Sequence, residues 1–281
     1  MDPSSLTMPL QEDESQPLSN GLSAAALSIG FAFLWVPLGQ HGFLYEHWMK
    51  LGTFMMPFLI FAALSFGSQL GPAVIKSSKF IALALLCAYL IHQFEEHWID
   101  VFGNVYAFQA SVNAIIATLT NGPADPTRPL TAEGIFVINT SLVWLVGFIA
   151  IATAPNRVFP TLCMAGIVLV NGLVHIAGAL AFSAYNPGLV TSIVVFLPLS
   201  IAAYIWIGAQ RGRVVASIVW AILGHVIMGL GLMASGVWGA ITPQAYYALL
   251  VGWSLLPGLL SAKGAFEDGS VAAPSKGSST R

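Results

Sequence analysis

Long apolar runs alternate along this chain with short polar or turn-forming stretches. Residues 22–44, 51–70, 80–98, 135–154, 158–182, 189–207, 214–232 and 246–260 form eight such runs. Most approach the roughly 20 residues a helix needs to cross hydrocarbon. Pro37 predicts a kink in the first run, and Pro257 interrupts the short last one. Residues 104–120 are uncharged but carry Asn104, Gln109, Ser111 and Asn113. Their length and polarity predict a helix lying in the interface, or re-entering over a site, and not a crossing. The pattern as a whole predicts an all-α fold: a polytopic transmembrane helix bundle of about seven or eight spans.

Composition supports the same class. The 281 residues are 57% hydrophobic and only 8% charged, where a soluble domain carries about 25% charged residues. A net charge of −2 excludes the electrostatic footprint of a nucleic-acid binder. Cys87 and Cys163 both fall in apolar runs, so no disulfide framework is implied. Residues 1–20 are polar and acidic and lack the basic start of a signal peptide, so they read as a disordered tail. Residues 263–281 are small and polar and read the same way. Residues 21–262 are left as a single transmembrane domain.

The cations orient it. Eight crossings with both termini on one side place Lys76, Lys79, Arg157, Arg211, Arg213, Lys263, Lys276 and Arg281 on that side, against Lys50 and Arg128 on the other. By the positive-inside rule the richer side, with both termini, is cytoplasmic. The segment 99–134 then becomes the largest non-cytoplasmic loop.

Against this apolar background one stretch stands out, Tyr89-Leu90-Ile91-His92-Gln93-Phe94-Glu95-Glu96-His97-Trp98. On a helix, Glu95 and Glu96 lie three and four residues beyond His92, so both carboxylates share a face with the imidazole. A polar helix end reaching the headgroups needs charge but not this spacing. Ionisable groups near hydrocarbon cost roughly 2.5–3.5 kcal/mol each, which makes such a cluster a candidate site. The topology carries Asn171 and His175, at i and i+4, to the same membrane depth, along with Gln40, His41, Glu46, His47, Glu133 and Asn139. His41, His47, Glu46 and Glu133 read as interfacial side chains, and His225 as a packing residue. Tyr185-Asn186-Pro187-Gly188 reads as a tight turn between two spans, with Tyr185 near enough to donate a proton.

His92-Gln93-Phe94-Glu95-Glu96 resembles the signature of the HXXEE-motif family of integral membrane proteins. Asn171-Gly172-Leu173-Val174-His175 and Tyr185-Asn186-Pro187-Gly188-Leu189 resemble that family's second block, so the likeness covers residues 80–198. The resemblance implies His92, Glu95, Glu96, Asn171 and His175 as functional residues, and implies an enzyme without naming its reaction.

The chemistry these residues suit is acid–base work on a small apolar substrate within the membrane. Two carboxylates at low dielectric resist ionising together, so one becomes an acid beside a base. Isomerisation, cyclisation and hydrolysis all use such a pair. A metal variant stays open, with His92, Glu95, Glu96 and His175 as ligands for zinc or iron. A proton-coupled transporter of a small molecule is the alternative, since intramembrane Glu and His also build proton relays.

Overall fold

The computed structural model describes residues 43–70, 77–154, 156–264 and 266. Residues 1–42, with Pro37, Gln40 and His41 of the expected first run, and residues 267–281 of the second tail lie outside the described residues. Within them the chain is helical, with no strand and one isolated bridge between Ile99 and Val105. We number the helices α1 (Phe43–Leu70), α2 (Ser78–His97), α3 (Ala107–Thr120), α4 (Ala132–Thr153), α5 (Phe159–Phe182), α6 (Leu189–Ile207), α7 (Arg211–Val237) and α8 (Pro243–Ala262). Five of these, α4 to α8, are long and apolar enough to cross a membrane. The expected run at 189–207 coincides with α6, and the uncertain last run extends to the 20 residues of α8 despite Pro257. Residues 107–120 form a separate 14-residue helix, as their polarity predicts.

Local chemistry sets the ends. The hydroxyls of Ser77, Thr131 and Thr242 accept the backbone N–H three residues on, at Phe80, Gly134 and Ala245. Each satisfies one of the donors a helix start leaves free. Three stretches widen into π-helix: Thr140–Leu145 in α4, Ser192–Phe196 in α6 and Met233–Val237 in α7. A π turn adds a residue and re-aims the side chains beyond it. The first two of these matter at the site.

The bundle is organised around α4 and α5. The apolar stretch of α4 is 78% buried, against 22–33% for the other four. Those four turn Leu, Ile, Val and Phe outward; Leu180 is 76% exposed and Val194 65%. In water such faces would drive aggregation, whereas lipid is a matching solvent for them. Helix α5 packs against α2, α4, α6, α7 and α8. Its approach to α7 needs Gly166, where a Cβ would stand 2.9 Å from the Ser217 carbonyl oxygen. Small residues serve this purpose between membrane helices. Tyr204 ties α6 to both partners, donating to the Leu162 carbonyl and meeting the Ser217 hydroxyl at 3.1 Å.

Candidate functional site

The last two turns of α2 carry His92, Glu95, Glu96 and His97 into the bundle, where all four are buried. Their side chains go to two different neighbourhoods. Glu95 reaches the start of α6. Its Oε1 accepts the Val190 N–H and the Tyr185 hydroxyl, both at 3.1 Å, and its Oε2 accepts the Thr191 N–H at 2.7 Å. The residue preceding α6 is Gly188, which has no side chain to cap a helix. Glu95 therefore supplies from another helix the acceptor that an N-cap normally provides, at the positive end of the α6 dipole. Burial, and next the adjacent Glu95, push the Tyr185 hydroxyl above its ordinary range. It stays a proton donor.

Glu96 faces three imidazoles. Its Oε2 lies 2.9 Å from His97 Nε2 and 3.4 Å from His92 Nε2, and its Oε1 lies 3.3 Å from His175 Nε2. Asn171 reaches the same cluster, its Nδ2 being 3.1 Å from His92 Nε2. The structure thus brings together His92, Glu96, Asn171 and His175 as the sequence anticipates. Among the described residues, the group able to hold a metal is His92, Glu96 and His175, with one donor atom from each within 4.8 Å of the others. Glu95 is outside that group because its oxygens are held by backbone N–H groups and Tyr185. Glu46 and His47 line a separate cavity of about 380 Å³, which His97 also walls.

Hydrogen bonds on the far side of each ring fix where its proton sits. Thr191 Oγ1 donates to the Gly188 carbonyl, so it accepts from His92 Nδ1 at 2.8 Å. Asn186 Nδ2 donates to the His175 carbonyl, which turns its Oδ1 toward His175 Nδ1 at 2.6 Å. Both rings hold a proton at Nδ1 and turn Nε2 toward Glu96. A third chain reaches His97. The Trp144 indole N–H can only donate, and it donates to Gln93 Oε1; Gln93 Nε2 then donates to Asn139 Oδ1. Asn139 Nδ2 is left facing both the Ile135 carbonyl and His97 Nε2. The π turn of α4 brings Asn139 and Trp144, five residues apart, to the same Gln93.

Gly188 closes the arrangement. Its φ is +93°, and a Cβ there would lie 2.6 Å from His92 Cε1 and 2.9 Å from His175 Cε1. Both its conformation and its space require glycine. Phe196, in the π turn of α6, lies beneath His92 with ring centroids 4.3 Å apart.

Glu96, His97, Asn171 and His175 form the polar end of a cavity of about 760 Å³. Its walls are otherwise mainly apolar: Val112 and Ile116 of α3, Leu142 of α4, Val174 of α5, and Met228 and Leu232 of α7. His225 also faces it, with Nδ1 on the Ala221 carbonyl at 2.8 Å. Helix α3 is tied across one side by Asn113, which donates to the Pro126 and Leu130 carbonyls and accepts the Leu130 N–H.

Comparison with known families now adds one finding. Residues 83–203 match the family described as "Protein of unknown function with HXXEE motif". That segment carries the HXXEE-motif family match. It contains His92, Glu95, Glu96, Asn171, His175, Asn186, Gly188 and Thr191, so the motif and the turn that completes it belong to one unit. Comparison with curated proteins and with solved structures gave no match.

Four contributors escaped the sequence reading. His97 is only the neighbour of the motif, and Asn186 and Thr191 read there as turn and span residues. Gln93 occupies a variable position of the pattern. A buried polar side chain in a span is the signal they share, since each must find a partner.

Proposed function

We propose that this chain is an integral membrane enzyme acting on a small hydrophobic substrate by acid–base or metal-assisted chemistry of the isomerisation, cyclisation or hydrolysis type. The observation that carries the reading is the placement of Glu96, with the imidazoles of His97 and His175, at the polar end of a cavity lined mainly by hydrocarbon. Such a cavity extracts an apolar molecule from lipid and holds its one reactive group against the ionisable cluster at that end. In this reading Glu96 handles the proton, His92 and His175 hold it in place, and Asn171 contacts the substrate. Glu95 anchors α6. The chain crosses the bilayer eight times with both termini cytoplasmic, and the site opens in the non-cytoplasmic half.

The test compares membranes carrying the wild-type chain with membranes carrying Glu96→Gln, by untargeted mass spectrometry of their apolar extracts. A species formed only with the wild type, its appearance slowed roughly 10²–10⁴-fold in the variant, is the result expected of a lost general acid or base. Identical extracts contradict the reading. A carrier changes where a molecule resides and not its mass, so a redistributed but unmodified species supports the transporter instead.

A further inference from the structure

We infer that His92 Nε2, His175 Nε2 and the Glu96 carboxylate form a binding site for one divalent transition-metal ion of the zinc or ferrous type. The inference deepens the proposed function by naming the cofactor of that site. It rests on that reading only for the use made of the ion.

The first argument is proton bookkeeping. Thr191 and Asn186 hold the Nδ1 protons of His92 and His175 on the outer side of each ring. The Nε2 atoms of both rings and the Glu96 carboxylate therefore converge on one point. A neutral imidazole offers a lone pair at such a nitrogen, and lone pairs and carboxylate oxygens buried together are the donors that a cation satisfies. Asn171 Nδ2 touches one of these lone pairs, that of His92, and cannot serve both.

The second argument is the outer hydrogen bond itself. A histidine that ligates through Nε2 characteristically donates Nδ1–H to a fixed oxygen, which sets its tautomer and orientation. Both rings do so here, to a hydroxyl and to a side-chain amide oxygen. Gly188 admits its backbone between the two rings, and no larger residue fits there. The pair is thus held at a set separation, with ring centroids 4.8 Å apart and nearly perpendicular planes.

The third argument is size. Bonds of about 2.0–2.1 Å at tetrahedral angles place neighbouring ligand atoms roughly 3.3–3.4 Å apart. Glu96 Oε2 stands 3.4 Å from His92 Nε2 and Oε1 stands 3.3 Å from His175 Nε2, so each ring is at ligand spacing from one oxygen of the carboxylate, and one donor atom from each residue lies within 4.8 Å of the others. Two histidines and one carboxylate leave a further position toward the cavity, the pattern of a catalytic and not a structural ion. His97, on the other side of Glu96 Oε2, orients the carboxylate.

The test uses the full chain in detergent micelles, stripped with chelator and titrated with Co²⁺ as a spectroscopic probe. The expected result is saturable binding of one equivalent per chain, with visible absorption that Zn²⁺ abolishes by displacement, since zinc binds such sites more tightly. His92→Ala, His175→Ala and Glu96→Gln should each remove it. Asn186→Leu, which takes away the Nδ1 partner of His175, should weaken it about 10–100-fold. His47→Gln, a histidine of the other cavity, should leave it unchanged. Absence of saturable binding in the wild type overturns the inference without any variant having to fold. Equal binding in the His92→Ala/His175→Ala double variant overturns it as well. If Glu96→Gln alters the membrane extracts while the wild type binds no cobalt, the metal fails and the acid–base enzyme stands. If cobalt binds through these ligands while the extracts never differ, the enzyme fails and the metal site stands.

Discussion

Glu95 and Glu96 are adjacent in sequence, both buried, and on the same last turn of α2, yet their surroundings are opposites. Around Glu95 every partner is a donor: two backbone N–H groups and a tyrosine hydroxyl. Around Glu96 the partners are imidazole nitrogens, two of them with their protons held elsewhere. The first environment is complete and serves the fold, because a satisfied carboxylate at a helix start holds α6 in place. The second gathers ring nitrogens around one carboxylate and is the arrangement on which the proposed chemistry and metal site rest. The difference teaches that a paired-carboxylate motif need not be a chemical pair. One member can build the scaffold against which the other works.

The sharpest way to break the contrast is at Gly188, which lies between the two environments. Gly188→Ala would force a Cβ against both imidazoles and place a non-glycine residue at φ +93°. A loss of roughly 2–5 kcal/mol is expected from left-handed backbone strain together with overpacking. It should be read as a lowered unfolding midpoint in detergent together with lost cobalt absorption. Retention of both would mean the turn is looser than its packing indicates.

A middle-sized effect isolates the Glu96 side. Trp144→Phe removes the donor that orients Gln93, and through Asn139 it frees His97. Leaving Gln93 Oε1 buried without its donor should lower stability by about 1–3 kcal/mol. The Tyr185–Glu95 contact lies off this chain. Nitrogen-15 spectra of labelled histidine should show a changed His97 tautomer with the contacts of α6 preserved. An unchanged His97 signal would remove Trp144 from the relay.

The smallest effect belongs to the Glu95 side. Burial opposes ionisation of Asp100. Hydrogen bonds from the Asn104 side chain and backbone and from the Phe102 N–H outweigh that and hold its carboxyl below the ordinary aspartate range. A depressed folded value contributes stability above the unfolded value, and that stability is lost as pH falls through the folded one. Phe102 meets the Tyr185 ring edge-on. Proteolysis of the 99–106 loop should therefore quicken as pH drops below the aspartate range, and Asp100→Asn should remove that dependence. A loop equally resistant at both pH values would show that the Asp100 bonds do not order it.

The sequence revealed the helices better than the site. Hydrophobic run length located α4 to α8 because crossing length is set by bilayer thickness, which acts on each segment by itself. The convergence of His92, Glu96, Asn171 and His175 was legible through helix periodicity and topology. The separate fates of Glu95 and Glu96 were not. They depend on where the start of α6 lies relative to α2, a tertiary relation that spacing along α2 does not contain. The roles of Gln93, Asn139 and Trp144 were hidden for a similar reason. The π turn of α4 shifts its register, and a 3.6-residue period then misplaces the side chains beyond it.

The central claim is that Glu95 serves the fold and Glu96 serves the chemistry. Thermal unfolding of the metal-free chain, with Glu95→Gln and Glu96→Gln measured side by side, tests it most directly. Glu95→Gln should lose about 2–4 kcal/mol, because the amide keeps one acceptor oxygen and turns an NH₂ toward a donor. Glu96→Gln should unfold at the wild-type temperature or above it, since an amide of the same shape removes a buried charge and can donate to a ring nitrogen as well as accept from one. A Glu96→Gln chain destabilised as much as Glu95→Gln, or more, would contradict the division of labour between the two carboxylates.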